Sequence, residues 1–282
     1  MQRSWLILDV SNLAYKAMYT TGWMENDGDP TGVLYGLFRD VFNLRRRFNT
    51  DHIVWCFDSR NSHRKNIYPQ YKEKRLQKTV EEKEKIDKLH RQLDDLRKKY
   101  LPVVAHNIFY KNGYEADDMI ACAVNKIVHD DIIIVSGDED LYQLLHKNVS
   151  MYSMRKDTIM NKTKFKREYG IKPSEWSLVK ALAGCSSDNI KGIEGIGEKT
   201  VCKWINNTLS PSYKTFKKLE KLEKVYLKKN LPLVQLPFDG LELEQELKDK
   251  PDLHESHKDF TTILGQLGIK SLGGMDGKGK RE

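Results

Sequence analysis

No stretch of the 282 residues approaches the roughly 18 consecutive apolar residues that a membrane-spanning helix needs. The N-terminal WLILDV is interrupted by Asp9 and is too short for a signal sequence, so a soluble, cytoplasmic chain is expected. Cysteine is scarce: Cys56, Cys122, Cys185 and Cys202 show no CxxC spacing, which argues against a zinc cage and a disulfide framework. No internal repeat of useful length is present.

What the chain has is charge. Lys and Arg number 48 against 40 Asp and Glu, giving +8 and a pI near 9.1, a balance that suits a polyanionic partner such as nucleic acid. With 31% charged residues and a mean hydropathy of -0.64, a well-solvated surface or extended polar segments are expected around one large domain, or a core with a smaller appendage.

Three short apolar runs, SWLILDV, HIVWCFD and DIIIVSGD, are rich in β-branched and aromatic residues, and each ends at an aspartate. Helix-like segments separate them, which predicts an α/β fold with a mainly parallel central sheet flanked by helices. The carboxyl ends of such strands meet at one edge, where ligands bind. Asp9, Asp58 and Asp138 are therefore aimed at one place. Glu115, Asp117 and Asp118 open the helix predicted from Ala116, and Asp140 follows Asp138.

Taken singly, each of these acids has a plain role: favouring a helix dipole, capping a turn or solvating a loop. Together they would repel one another unless a cation intervened. With few histidines nearby, oxygen-preferring Mg²⁺ or Mn²⁺ is expected rather than zinc. Two such ions about 4 Å apart can activate water and stabilise the leaving oxygen of a phosphodiester.

Between Arg60 and Lys78 the sequence carries seven Lys or Arg and one acid, with Tyr68 and Tyr71 interleaved. Ile86, Leu89, Leu93 and Leu96 then mark the apolar stripe of a helix. PVVAHNIFYKNGYEADD predicts a further strand, and from about residue 173 the chain reads as helical. KGIEGIGEKT fits a turn between two helices, with isoleucines packed beneath and Gly192, Gly195 and Gly197 facing a phosphate, flanked by Lys191 and Lys199. Such a turn grips a duplex backbone without reading bases, and its carbonyls suit a monovalent cation such as K⁺.

LILDVSN, CFDSRNSHRK, YPQYKEKR, GYEADD, SGDEDLYQLL and SSDNIKGIEGIGEKT, in that order, resemble the 5′-nuclease family: bacteriophage 5′-exonucleases, flap endonucleases and the 5′-nuclease domain of bacterial DNA polymerase I. The likeness covers about residues 4 to 204. It implies that Asp9, Asp58, Glu115, Asp117, Asp118, Asp138, Asp140 and Asp188 line a site for two divalent ions. It also implies a helical arch within 60–100, in a catalytic core of 1–172, over that site. Lys72, Arg75 and Asp118 are the catalytic candidates. Arg60, Arg64, Tyr71, Lys191, Gly192, Gly195, Gly197 and Lys199 are the DNA-binding candidates. A helix-hairpin-helix of the helix-three-turn-helix type at 184–204 would sit in a helical DNA-binding region of 173–270, before a disordered 271–282 tail. The implied substrate is DNA with a 5′ flap or 5′ end at a duplex junction, with an RNA–DNA hybrid also open, cut by a monomer in replication or repair.

One position departs from the family pattern. Where GDxxDN is usual, Cys185 stands for the first aspartate ahead of Asp188. A thiol is a poor Mg²⁺ ligand, so the second ion, assigned to Asp140 and Asp188 with Asp118 nearby, is expected to be weakened. Three outcomes stay open: a tolerated weaker site, loss of one cleavage mode, or a branched-DNA-binding protein with impaired cleavage. A small acid-cluster ribonuclease ranks lower, since it would need neither the glycine turn nor the arch.

Overall fold

The computed structural model describes residues 3–76, 79–253 and 257–269. Six strands form the main sheet: β1 (Ser4–Asp9), β2 (His52–Cys56), β3 (Ile108–Phe109), β4 (Asp131–Val135), β5 (Val149–Ser153) and β6 (Thr158–Asn161). Their order is β3-β2-β1-β4-β5-β6, with every pair parallel except β5 and β6. The register sets Asp9 beside Cys56 and Leu8 beside Val135, so the ends of β1, β2 and β4 share one edge.

Alternation along the strands divides the interior into two cores. Trp5, Ile7, Val54, Cys56, Ile132 and Ile134 face one side, and Leu6, Leu8, Ile53, Trp55 and Val135 face the other. Helices α1 (Val10–Thr20), α2 (Gly32–Phe48) and α3 (Val80–Asp95) cover the second side. The first is covered by α4 (Ala116–Lys126), α5 (Trp176–Ala183) and α6 (Glu198–Ile205). Trp176, Val179, Leu182, Ile193 and Val201 therefore share a core with the strands. The long helix α7 (Lys214–Val234) crosses α5, with Asn230 Nδ2 donating to Ala181 O at 2.8 Å and to Lys191 O at 3.0 Å.

Three readings of the sequence need correction. PVV is helical (Leu101–Val104), and the predicted strand shrinks to Ile108–Phe109. Two strands, β5 and β6, were not foreseen: VSMYS and TIMN are short, and a turn joins them. From Gln235 to Leu253 the chain is not helical, and a helix is described again from His257. This strap runs back over β2 and β3, where Asn107 pairs with the backbone of Lys248 and Asp252 accepts from Trp55 Nε1 at 3.0 Å and His106 N at 2.8 Å.

In the basic segment, Thr79 caps α3 in a capping box with Glu82. The far end of α3 and the turn after it are docked on the body: Leu89, Leu93 and Leu96 are buried, and Gln92 Oε1 accepts from Val33 N at 3.1 Å. That glutamine caps α2, whose own Thr31 makes no side-chain cap. The expected tail of 271–282 lies outside the described residues.

Candidate active site

At the carboxyl edge Asp9 is buried, and it does two jobs. Its Oδ1 accepts from Asn12 N at 2.9 Å, capping α1, and its Oδ2 accepts from Ser136 Oγ at 2.7 Å. Burial, and after it the nearby Asp58, push its carboxyl up to about 7. Asp58, more exposed, accepts from Ala116 N at 2.7 Å at the start of α4. Asp138 accepts from Asp140 N at 2.9 Å, and burial followed by Asp140 raises its carboxyl.

Asp117 differs from these. Among the described residues its carboxylate has no hydrogen bond and no ion pair, while burial, Asp138 and Asp9 drive it well above the ordinary carboxylate range. These four carboxylates are near enough that, on top of burial, Asp58 and Asp138 raise Asp9, and Asp138, Asp9 and Asp58 raise Asp117. Oxygen ligands of this kind suit a hard divalent cation, and Asp117 carries coordination capacity that no group among the described residues uses.

Beside this cluster lies a set of paired acids. Glu115 Oε2 accepts from Tyr71 OH and Lys72 Nζ, both at 2.9 Å. Burial alone would raise Glu115, but Lys72, Arg64 and Tyr71 outweigh it and hold it below its usual value. Lys72 Nζ also lies 4.0 Å from Asp188 Oδ1. Burial and then Glu115 push the Tyr71 phenol up, so Tyr71 acts as a neutral donor.

Asp140, Cys185 and Asp188 form a third group, with one ligand atom from each lying within 4.8 Å of the others. Burial, then Asp140 and Asp188, push the Cys185 thiol up to about 11, so it is protonated at neutral pH. Sequence reasoning overlooked Lys180. Its Nζ is 2.9 Å from Asp140 Oδ1 and 2.9 Å from Glu198 Oε1, joining this group to the start of α6. Lys180 is the single charge in WSLVKALA, and a lone cation on an apolar helix was the available signal.

Several candidates are not where the sequence suggested. Asp118 is fully buried below the cluster: Arg64 takes both its oxygens at 2.7 and 2.8 Å, and Glu115 N and Phe238 N donate to them at 3.0 and 2.8 Å. With every acceptor position engaged, Asp118 is a support for the site rather than a metal ligand or catalyst. Arg64 is buried too, its Nε donating to Leu233 O at 2.9 Å, so it offers nothing to a phosphate from outside. Tyr71, 2% exposed, has no face free for a base. Arg60 is exposed and paired with Asp94 at 2.6 Å. The side chain of Arg75 lies outside the described residues.

The glycine turn divides by role. A Cβ on Gly192 would sit 2.1 Å from the carbonyl of Ala183, so Gly192 permits close backbone packing rather than facing a phosphate. Gly195 and Gly197 have open space around them, and Ile193 and Ile196 are buried beneath, with Lys191 and Lys199 exposed on either side.

The fold and this edge define an α/β protein with a cluster of carboxylates at the ends of its parallel strands. Residues 4–170, more than half of the chain, match the family described as 5′-3′ exonuclease, N-terminal resolvase-like domain, and the chain belongs to that family. It is 33% identical to DNA polymerase I of Mycobacterium leprae over 211 residues, 71% of this chain but 22% of that polymerase. It is 30% identical to a 5′-3′ exonuclease of Aquifex aeolicus over 279 residues, 94% of this chain and 92% of the relative. Among solved structures it resembles bacteriophage T5 5′-exonuclease with bound zinc (TM-score 0.70), and the T5 flap endonuclease in complex with DNA and metal ions (TM-score 0.69). Both are 25% identical and cover 83% of this chain and 90% of the phage chain. No described helix is long and apolar enough to cross a membrane.

Proposed function

We propose that this chain is a divalent-metal-dependent, structure-specific 5′ nuclease that hydrolyses DNA phosphodiesters near junctions of single strand and duplex. The observation that carries the reading is Asp117, a carboxylate that has no hydrogen bond or ion pair among the described residues and is raised by burial and then by Asp138, Asp9 and Asp58. Mg²⁺ or Mn²⁺ is the expected ion, and when bound it supplies the Lewis acidity that phosphodiester hydrolysis needs. The protein orients: Ser136 and Asn12 fix Asp9, Ala116 N fixes Asp58, and Arg64 with Asp118 underpins Glu115. Lys72, with Nζ at the edge of the cluster, offers positive charge to the phosphate being cut. The Gly195–Gly197 turn, with Lys191 and Lys199, holds the duplex by its backbone, helped by K⁺ at the turn carbonyls, as a helix-hairpin-helix would. The protein acts as a monomer, and an RNA–DNA hybrid is a second substrate to try.

Cys185 favours a second reading, a branched-DNA-binding protein with impaired cleavage, because a protonated thiol stands where the family pattern has an aspartate. Single-turnover cleavage of a 5′-flap and of a blunt duplex, in Mg²⁺, Mn²⁺ and chelator, separates the two. The nuclease reading expects cutting that chelator abolishes. Tight flap binding with no cutting in either ion would refute it and leave the binder.

A further inference from the structure

The base of the basic segment is sewn to the loop that precedes the glycine turn. Lys72 N donates to Asp188 O at 3.0 Å, Tyr68 OH donates to Asn189 O at 3.2 Å, and Asn189 Nδ2 donates to Gln70 O at 3.0 Å. Two residues of this seam are left-handed, Lys72 at φ +56° and Asn189 at φ +61°. Asparagine tolerates that conformation, whereas lysine adopts it when its surroundings impose it. The imposed turn delivers Lys72 Nζ to Glu115 at 2.9 Å.

On its other side Asn189 leads directly into Ile190 and Lys191, which pair antiparallel with Cys185 and Gly184. Ile190 is buried, and Asn230 fixes Lys191 O from α7. A short, well-anchored path therefore runs from the glycine turn through Asn189 to the Lys72 turn.

We propose that Asn189 is a positioning residue: its side-chain amide clamps the carbonyl of Gln70, fixes the Lys72 turn, and couples seating of a duplex on the glycine turn to placement of the Lys72 ammonium at the acid cluster. The inference rests on the nuclease reading above. It assigns Asn189 an effect exerted through Lys72 alone, which a merely structural residue would not show.

The test is a double-mutant cycle. Asn189→Gly keeps access to the left-handed backbone without the amide, and Asn189→Asp keeps the shape without the donor. Each is made in the natural background and with Lys72→Ala. Single-turnover cleavage of a 5′-flap and equilibrium binding of the same flap are read together, with thermal melting to establish folding. Both variants should slow cleavage about tenfold, as expected when a charge is misplaced, while binding stays within about twofold. In the Lys72→Ala background the same changes should alter the rate less than about twofold, because coupled residues are not additive. Natural-like rates in both Asn189 variants, or an equal loss with and without Lys72, would overturn the coupling while leaving the nuclease intact. If the unmodified chain cuts neither flap nor duplex, the nuclease reading falls and the coupling falls with it.

Discussion

Arg64 and Asp118 meet in a two-pronged ion pair at 2.7 and 2.8 Å beneath the acid cluster, both cut off from solvent. Removing one partner leaves the other charged and buried. Arg64→Ala should therefore cost about 3–5 kcal/mol of stability. Arg64→Lys should recover little of it, since an ammonium cannot serve both oxygens and Leu233 O in the same plane. Chemical denaturation of the two variants checks this, and a loss under about 1 kcal/mol in Arg64→Ala would contradict it.

The acid cluster sets a pH dependence. Asp9 holds its proton up to about 7 in the fold, against 3.8 ordinarily. Between those values the native state binds more protons than the unfolded chain, so stability falls as pH rises, by up to about 1.4 kcal/mol per pH unit for one such group. Asp117 and Asp138 are shifted in the same direction. A divalent ion requires the ionised carboxylates, so excess Mg²⁺ or Mn²⁺ should flatten the slope. Asp252, raised to about 7 by burial in the strap, contributes a part that metal does not remove. Melting temperatures at pH 5 and pH 8, with chelator and with metal, read out both parts.

Cys185→Asp should tighten binding of a second divalent ion on the order of tenfold, about 1.4 kcal/mol. Cys185→Ser, which supplies no negative charge, should not. Calorimetric titration of Mn²⁺ distinguishes them, and equal isotherms for all three chains would mean that position 185 lies outside the ion's coordination.

Glycines of the turn should separate by function. Gly192→Ala forces a methyl against the Ala183 backbone and should cost about 1–3 kcal/mol. Gly197→Ala enters open space at φ -100°, so its stability should change by less than about 0.5 kcal/mol. Its effect should appear instead as weaker binding to duplex DNA. Melting curves and binding at two salt concentrations measure the pair.

Much of this arrangement could be read from the chain because it is local. A run of β-branched residues ending in aspartate fixes both a strand and the direction of its terminal carboxylate, which is why Asp9, Asp58 and Asp138 share an edge. Arg64 was misread because a cation within a basic run looks like surface. What buries it is Asp118, far along the chain, and a carbonyl at Leu233, and neither leaves a local periodicity. Asp118 looked like a ligand beside Asp117, yet one step around the helix turns it inward, where it accepts from Glu115 N. Tyr71 suffered the same fate through its bond to Glu115.

The strap and the end of α7 also bear on how the protein is made. Leu233 O receives Arg64 and Phe238 N holds Asp118, while Asp252 closes over Trp55. A nascent chain that has exposed its first 170 residues has its sheet and most of its acids, but it lacks Lys180, Asp188 and the carbonyl that seats Arg64. The segment from Lys180 to Phe238 thus acts as a timer: the acid edge attains its final charge balance only after that stretch has been synthesised and docked.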